Sequence, residues 1–127
     1  VESKYGKALL LGDAERAVEK RLLAELHKRS PIDIVIAGHH GSASSSSKEL
    51  VNVVKAKEAW FSVGYLNRYQ FPKKNIVDRW LHSDALIYRT DCNGSLKRTF
   101  KNNGQTHSYW ASHYKPWHQS IKERCGL

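Results

Sequence analysis

Three side chains in two short motifs could take part in hydrolytic chemistry. Asp13 directly follows an apolar run that ends at Gly12, and His39 and His40 follow a second apolar run that ends at Gly38. Carboxylate oxygens and imidazole nitrogens suit Zn²⁺ or Mn²⁺, and such ions assist hydrolysis as Lewis acids. We therefore take Asp13, His39 and His40 as candidate metal ligands, and Asp13 and His39 as candidate catalytic residues.

The elements around these motifs are expected to bring them together. Residues 5–11 and 32–37 are apolar runs typical of strands, and residues 14–29 repeat apolar side chains with a helical period. Parallel strands joined by a helix in one sheet end at the same edge, where open α/β sheets bind ligands. The helix is predicted to turn Ala14, Ala17, Val18, Leu22, Leu23 and Leu26 inward and Glu15, Arg16, Glu19, Lys20 and Lys28 outward.

Each candidate ligand also has a structural interpretation. Asp13 stands where the N-cap of the helix would be, and aspartate is a favoured cap. A lone histidine is more often structural than a ligand, but adjacent histidines in register with Asp13 favour a metal site. Such a site needs at least three protein ligands, and no H-x-H motif supplies the others. The remaining ligands are therefore expected outside this chain, or the site has lost its metal.

The middle of the chain predicts two further helices and a third strand. Residues 46–49 form a capping box in which Ser46 and Glu49 exchange hydrogen bonds at the start of a helix, although residues 42–47 also resemble a low-complexity linker. Residues 58–63 are strand-like, and residues 75–82 form a short helix. The apolar side chains predicted to face inward from the two helices are Leu50, Val53, Val54, Ile76, Val77, Trp80 and Leu81.

The last predicted elements are a hairpin and an irregular tail. Strands over residues 85–89 and 95–100 are joined by a turn at Asn93-Gly94, a pair that readily adopts positive φ. The whole pattern predicts the α/β class, with a parallel core finished by this hairpin. Residues 101–127 form a basic tail whose aromatic and imidazole side chains are His107, Tyr109, Trp110, His113, Tyr114, Trp117 and His118.

Composition sets limits on the partners and the compartment. The 127 residues suffice for one domain, and 21 Lys and Arg against 12 Asp and Glu give a net charge of +9, which favours polyanions such as nucleic acid. No run approaches the roughly 20 apolar residues that span a bilayer. The two cysteines, Cys92 and Cys125, allow a single disulfide, which the sequence does not establish. The chain contains no Met and begins like a cut within a larger protein, so we expect a fragment.

Four separated motifs occur in an order that resembles one known family. The chain is similar, over residues 8–100, to the C-terminal metallo-β-lactamase-like domain of ComEC-type DNA-uptake proteins. Two departures are evident: the family's upstream H-x-D-x-D-H motif is absent, and Gln70-Phe71-Pro72-Lys73 stands where the family usually has Gly-His-Pro-His. The matching motifs are Leu10-Leu11-Gly12-Asp13-Ala14-Glu15, Gly38-His39-His40-Gly41-Ser42 with Ser45-Ser46, Ser62-Val63-Gly64-Tyr65 with Asn67-Arg68-Tyr69, and Tyr88-Arg89-Thr90-Asp91 with Gly94.

The resemblance implies a four-layer αββα sandwich, with residues 1–100 as the C-terminal part of that domain. Asp13 would match a metal-bridging aspartate and His39 the last metal histidine, while His40 would be a ligand or a phosphate contact. The remaining substrate or phosphate contacts would be Ser42, Ser46, Asn67 and Arg68.

The function implied is metal-dependent phosphodiester hydrolysis during DNA uptake. The domain, with two Zn²⁺ or Mn²⁺ ions, would degrade the DNA strand that is not imported, on the periplasmic side of a bacterial inner-membrane channel formed by the same polypeptide. The isolated fragment is expected to be inactive, marginally stable and unable to hold both ions. One alternative is a non-catalytic DNA-guiding module of the same channel that has lost its metal. Another is a lactamase-like hydrolase acting on a small phosphodiester or ester.

Overall fold

Four parallel strands form the centre of the fold and lie side by side in chain order. The computed structural model that shows them describes residues 1–101, residues 104–109 and Cys125. A fifth, short strand pairs antiparallel with the first of the four. The strands are β1 (Glu2–Ser3), β2 (Gly6–Leu10), β3 (Ile34–Ile36), β4 (Glu58–Phe61) and β5 (Leu86–Arg89).

Three helices connect the parallel strands: α1 (Arg16–Arg29), α2 (Lys48–Val54) and α3 (Lys74–Leu81). Each crossover moves one strand along the sheet in the same direction. Because such crossovers are right-handed, all three helices pack on one face of the sheet. The predicted α/β class and parallel core are confirmed. In the described residues, no helix has the length and apolar character needed to cross a membrane.

The helix-covered face contains the hydrophobic core. Phe61 of β4, Leu50 of α2 and Trp80 of α3 have no exposed surface, and Val35 of β3 is equally buried. The inward positions predicted for α2 are confirmed, and so are those of Ile76 and Trp80 in α3. The prediction for Leu81 is wrong, because half of this side chain is exposed at the end of α3.

The orientation of α1 differs from the prediction. Leu23 and Leu26 face the core, but Ala17, Val18 and Leu22 are exposed, and Glu19, expected outside, is completely buried. The Glu19 carboxylate accepts hydrogen bonds from the backbone amides of Ser46 (2.5 Å) and Ser47 (2.8 Å). These two bonds compensate the desolvation of a buried charge.

The alternative interpretation of Asp13 as an N-cap is wrong by two residues, and the N-cap predicted at Ser46 is wrong by one. Glu15, not Asp13, is the N-cap of α1, and α2 begins after Ser47, whose side chain accepts from the Leu50 amide at 3.2 Å. The capping box centred on Ser46 does not form, because Glu19 occupies the amide donors at this helix start.

The predicted hairpin is also wrong in its partners. A helical turn, α4 (Thr90–Asn93), follows β5 and ends at Gly94, whose φ is 70°. The strand after it, β6 (Leu96–Arg98), pairs antiparallel with β7 (Thr106–Ser108) and not with β5. Asn-Gly thus ends a helical turn here, because both hairpins and helix ends use a residue with positive φ.

A disulfide joins Cys92 in α4 to Cys125, and the Cα atoms of the two residues are 5.7 Å apart. The boundary predicted at residue 100 stays a prediction, although β6 and β7 pair across it. His107 and Tyr109 of the predicted tail are exposed. The tail residues outside the described part of the chain are Trp110, His113, Tyr114, Trp117 and His118.

The second face of the sheet carries a row of apolar side chains. Leu10, Ile36, Trp60 and Tyr88 are register partners on successive strands, and the Trp60 and Tyr88 ring centroids are 6.2 Å apart. Leu10 in this row is 58% exposed. The β6–β7 hairpin contacts the neighbouring row, where buried Glu58 of β4 pairs with Arg98 at 2.7 Å and Thr106 at 2.5 Å.

Candidate metal centre

The loops that follow β2 and β3 meet at one edge of the sheet. Leu10 and Ile36 are register partners at the ends of these strands, and the His39 amide donates to the Gly12 carbonyl at 2.8 Å. Asp13 is the next residue after that carbonyl. The predicted convergence of the two motifs is therefore confirmed, and metal binding by them stays a prediction.

Two glycines allow the close approach of the backbone at this edge. A Cβ atom on Gly38 would lie 2.5 Å from the Ala14 carbonyl oxygen, so only glycine fits between the two loops. Gly41 has φ of 80°, and a Cβ there would lie 2.7 Å from the ring of Phe61. Both contacts are closer than non-bonded carbon atoms tolerate.

His39 and His40 both adopt left-handed backbone conformations, with φ of 45° and 56°. For a residue with a Cβ atom this region costs about 1–2 kcal/mol relative to the right-handed one. Such strain persists where the surrounding structure enforces it, and it clusters at functional sites. The turn from Gly38 to Gly41 therefore holds two imidazoles at the sheet edge at a cost in stability.

The His39 ring is oriented by a carboxylate from the start of α1. Its Nδ1 lies 2.8 Å from Glu15 Oε1, and the same oxygen accepts a 2.7 Å hydrogen bond from the Ser44 hydroxyl. Hydrogen bonds from Ser44 and from His39 lower the pKa of Glu15 below its ordinary value. An ionised carboxylate only accepts, so Nδ1 of His39 carries the proton and, in the neutral ring, Nε2 carries the free lone pair.

The His40 ring is fixed by the backbone instead. Its Nδ1 lies 2.7 Å from the Ser62 carbonyl oxygen, which can only accept a hydrogen bond. Neutral His40 therefore also presents its lone pair on Nε2. Histidines that bind metal almost always donate their other ring N–H to a carboxylate or a backbone carbonyl in this way.

The donors at this edge agree in kind with Zn²⁺ or Mn²⁺, but they are not grouped into a complete site. His39 and His40 offer imidazole nitrogens, and Asp13 offers an exposed carboxylate. Within residues 1–101, 104–109 and Cys125, no group of three or more His, Cys, Asp or Glu side chains is placed to hold a metal ion.

The predicted phosphate contacts lie in different environments. Ser42 is nearly buried, and its hydroxyl contacts that of Ser44 at 2.9 Å. Ser46 has no exposed surface, so the contact predicted for its hydroxyl is not available in this structure. Asn67 closes its own loop through hydrogen bonds to Gly64 and Phe71. Arg68 is exposed and stacks on Tyr69, with its guanidinium 4.7 Å from the ring centroid.

Sequence reasoning did not assign roles to Glu15, Ser44, Ser62 and Phe71. Glu15 belongs to the first motif, and its position two residues after Asp13 is the one signal that pointed to it. Ser62 acts through its carbonyl, which no residue type reveals. Phe71, in the Gln70–Lys73 segment where the family has histidines, lies edge-on to His39 with ring centroids 6.0 Å apart. This segment therefore lines the edge with an apolar ring instead of an imidazole.

Three curated bacterial proteins are similar to this chain. Competence protein ComA of Neisseria gonorrhoeae is 33% identical over 93 residues, which is 72% of this chain and 14% of that protein. ComE operon protein 3 of Bacillus subtilis (strain 168) is 29% identical over 80% of this chain and 13% of its own length. Recombination protein 2 of Haemophilus influenzae is 27% identical over 95% of this chain and 15% of its own length.

The chain is a homologue of ComEC-type competence proteins. This finding confirms the resemblance stated from the motifs. The homologous segment spans 13–15% of the length of these curated relatives. No family profile matches the chain, and no solved structure matches it.

Proposed function

We propose that this competence-protein homologue is part of a metal-dependent nuclease domain that degrades the DNA strand not imported during DNA uptake. The observation that carries the proposal is the convergence of Asp13 with two histidines whose Nδ1 atoms are both engaged as donors. This arrangement leaves two Nε2 lone pairs and a carboxylate at one sheet edge, which suits a divalent cation. The net charge of +9 favours a polyanionic substrate.

A second sheet is expected to pack on the face of the sheet that carries Leu10. The row on this face is apolar: it consists of Leu10, Ile36, Trp60 and Tyr88. When one face of a sheet is exposed to solvent, the strands ordinarily alternate, with polar side chains on that face and apolar ones on the other. The presence of the apolar row supports the proposed αββα sandwich, in which the other half of the domain packs on this row. The remaining metal ligands would be carried by that half.

The disulfide supports an extracytoplasmic position for the domain. Disulfides persist in oxidising compartments such as the bacterial periplasm and are rare in the cytosol. The bond between Cys92 and Cys125 therefore agrees with a site on the outer side of the inner membrane, in a polypeptide that also forms the channel.

The residues of this chain would do three things in hydrolysis. Asp13 and His39 would hold two divalent cations, Zn²⁺ or Mn²⁺, with His40 as a further ligand or a contact to the phosphate. Glu15 would fix the His39 ring and keep its proton on Nδ1. When bound, the cations supply Lewis-acid stabilisation of the charge that develops on the phosphoryl oxygens. Exposed Arg68 would neutralise a neighbouring phosphate of the strand.

The test uses the natural polypeptide that carries this chain. Purified protein with Mn²⁺ or Zn²⁺ is expected to cleave a labelled single-stranded oligonucleotide, and Asp13→Ala is expected to abolish cleavage. Lys97→Ala, on the exposed side of β6, is the matched control and should cleave like the wild type. Cleavage that does not require added metal, or that survives Asp13→Ala, would contradict the proposal.

The alternative of a DNA-guiding module rests on a specific observation. Among the described residues, no three His, Cys, Asp or Glu side chains are placed to hold one metal ion, and Phe71 stands near His39 where the family has a histidine-containing segment. A guiding module would bind DNA in a salt-sensitive way without metal. Elemental analysis of the natural polypeptide separates the two proposals: stoichiometric Zn or Mn excludes the guiding module, and a metal-free protein that binds DNA excludes the nuclease.

A further inference from the structure

A cationic groove lies between α2 and α3, on the helix-covered side of the molecule. Two adjoining depressions of about 460 and 310 Å³ share Lys48 and Arg79 in their walls. Together they form the groove whose basic and amide side chains are Arg16, Lys48, Arg79, Asn52 and Asn75, with the imidazole of His82 beside them.

The charge of the groove is positive after its acidic residues are counted. Glu49 and Asp78 also line it, and Asp78 is paired with Lys74 at 2.7 Å, outside the lining. The lining therefore has three positive side chains, Arg16, Lys48 and Arg79. Of its two carboxylates, Glu49 is the one that has no ion pair among the described contacts. Amide donors from Asn52 and Asn75 add hydrogen-bonding groups suited to phosphate oxygens.

The two arginines are held in place by the backbone of residues 42–47. Arg16 donates to the Ala43 carbonyl at 2.9 Å, and Arg79 donates to the Ser46 carbonyl. Each guanidinium has five N–H donors, so these bonds leave further donors for a ligand. The same loop presents Ser44 to Glu15 and so reaches the candidate metal centre. One loop of six residues, 42–47, therefore connects the groove with the sheet edge that carries His39 and His40.

We propose that this groove binds the phosphodiester backbone of a nucleic-acid strand whose neighbouring segment reaches the histidine edge. The inference rests on the proposed function for its ligand and adds a second contact region for it. Pre-positioned arginines, an exposed lysine and amide donors bind phosphate without reading the base sequence. The groove would therefore hold the strand in register with the sheet edge.

The test measures binding without cleavage. The natural polypeptide that carries this chain is titrated, in EDTA, into a fluorescent single-stranded oligonucleotide, and anisotropy is recorded over a range of NaCl concentrations. Lys48→Gln is expected to weaken binding about threefold or more at low salt and to lower the salt slope by about 0.7, the value for one phosphate contact on a single strand. Asn52→Asp, which adds a negative charge to the groove, is expected to weaken binding at least as much.

Lys97→Gln is the matched control, because it removes the same charge from an exposed position on β6. Equal weakening by Lys97→Gln and Lys48→Gln would overturn the proposal, since the effect would then come from net charge alone. Competition by inorganic phosphate at constant ionic strength would also overturn it in favour of a site for a single free anion. Because the assay contains no metal, these outcomes leave the nuclease proposal to its own test, and loss of cleavage in Asp13→Ala leaves the groove to this one.

Discussion

The helix-covered core and the histidine edge are built on different physical terms. In the core, Phe61, Leu50 and Trp80 are fully buried and stabilise the fold by removing apolar surface from water. At the edge, His39 and His40 occupy strained left-handed conformations and are held by single hydrogen bonds to Glu15 and to the Ser62 carbonyl.

This difference shows that stability and chemistry are carried by separate residues. Removing core volume costs packing energy that nothing at the edge replaces. Removing an edge contact leaves the packing intact and changes the orientation or protonation of a single group. The effects of substitutions in the two regions should therefore differ in magnitude, in sign and in the property that is changed.

The largest expected effect on stability comes from the same substitution, leucine to alanine, at a buried and at an exposed position. Leu50→Ala should lower the free energy of unfolding by about 2–5 kcal/mol, because it leaves a cavity in a fully buried position. Leu10→Ala, at a side chain that is 58% exposed, should cost less than about 1 kcal/mol when this chain is measured by itself. Urea unfolding followed by circular dichroism measures both. Equal losses in this chain by itself would contradict the exposure of Leu10.

A methyl group placed where the edge meets the core should have the next largest effect. Gly38→Ala puts a Cβ atom 2.5 Å from the Ala14 carbonyl and should cost about 1–3 kcal/mol while separating the two loops. Gly64→Ala is the control, because a Cβ atom there meets nothing within 4 Å. Unfolding measurements and the amide shift of His39 report the two consequences. An unchanged His39 amide in Gly38→Ala would contradict the close approach of the loops.

Because of backbone strain at His40, glycine and alanine substitutions there should have the opposite order of stability from the one expected in a helix. His40→Gly and His40→Ala both remove the imidazole, but glycine tolerates φ of 56°, so the glycine variant should be more stable by about 1 kcal/mol. At Lys20, within α1, the order should be reversed by about 1 kcal/mol because glycine is a poor helix former. Thermal unfolding of the four variants tests this. The same order at both positions would exclude strain at the edge.

The smallest effect concerns the protonation of Glu15. Ser44→Ala removes the hydrogen bond that contributes most to the lowered pKa of this carboxyl, so the pKa should move back toward its ordinary value. A lowered pKa in the folded state means that the ionised contact with His39 stabilises at higher pH and is lost as pH falls through that pKa. In Ser44→Ala this loss should begin at higher pH.

Carbon-13 NMR titration of the glutamate carboxyls measures this change. Glu25 serves as the internal reference, because hydrogen bonding and charge from Arg29 lower its pKa independently of Ser44. A Glu15 pKa that is the same in both proteins would show that Ser44 does not control the edge.

Most of the parallel core was predictable from local sequence. The apolar runs that became β2 and β3, and the helical period of α1, are signals that neighbouring residues carry themselves. The rotation of α1 was not predictable, because Glu19 is buried by backbone amides 27 and 28 residues away. The strand partner of β6 failed for a similar reason, since positive φ at Gly94 suits a helix end as well as a hairpin.

The residues of the candidate site were predictable, but the hydrogen bonds that orient them were not. Asp13 and His39 could be placed at one edge because parallel strands fix where loops emerge. The tautomers of both rings depend on Glu15 and on the Ser62 carbonyl, which lie 24 and 22 residues from their partners. A sequence pattern cannot show such contacts, because they form only when separate loops meet at the sheet edge.

The hydrogen bonds between Glu19 and the amides of Ser46 and Ser47 also have a consequence for the order of folding. α2 has seven residues, which is too short for a helix to persist alone in water. The amides of Ser46 and Ser47, just before α2, donate to a carboxylate from α1, so the 42–47 loop and α2 are expected to depend on α1 for their order. We therefore expect the segment that connects the groove to the histidine edge to become ordered after α1.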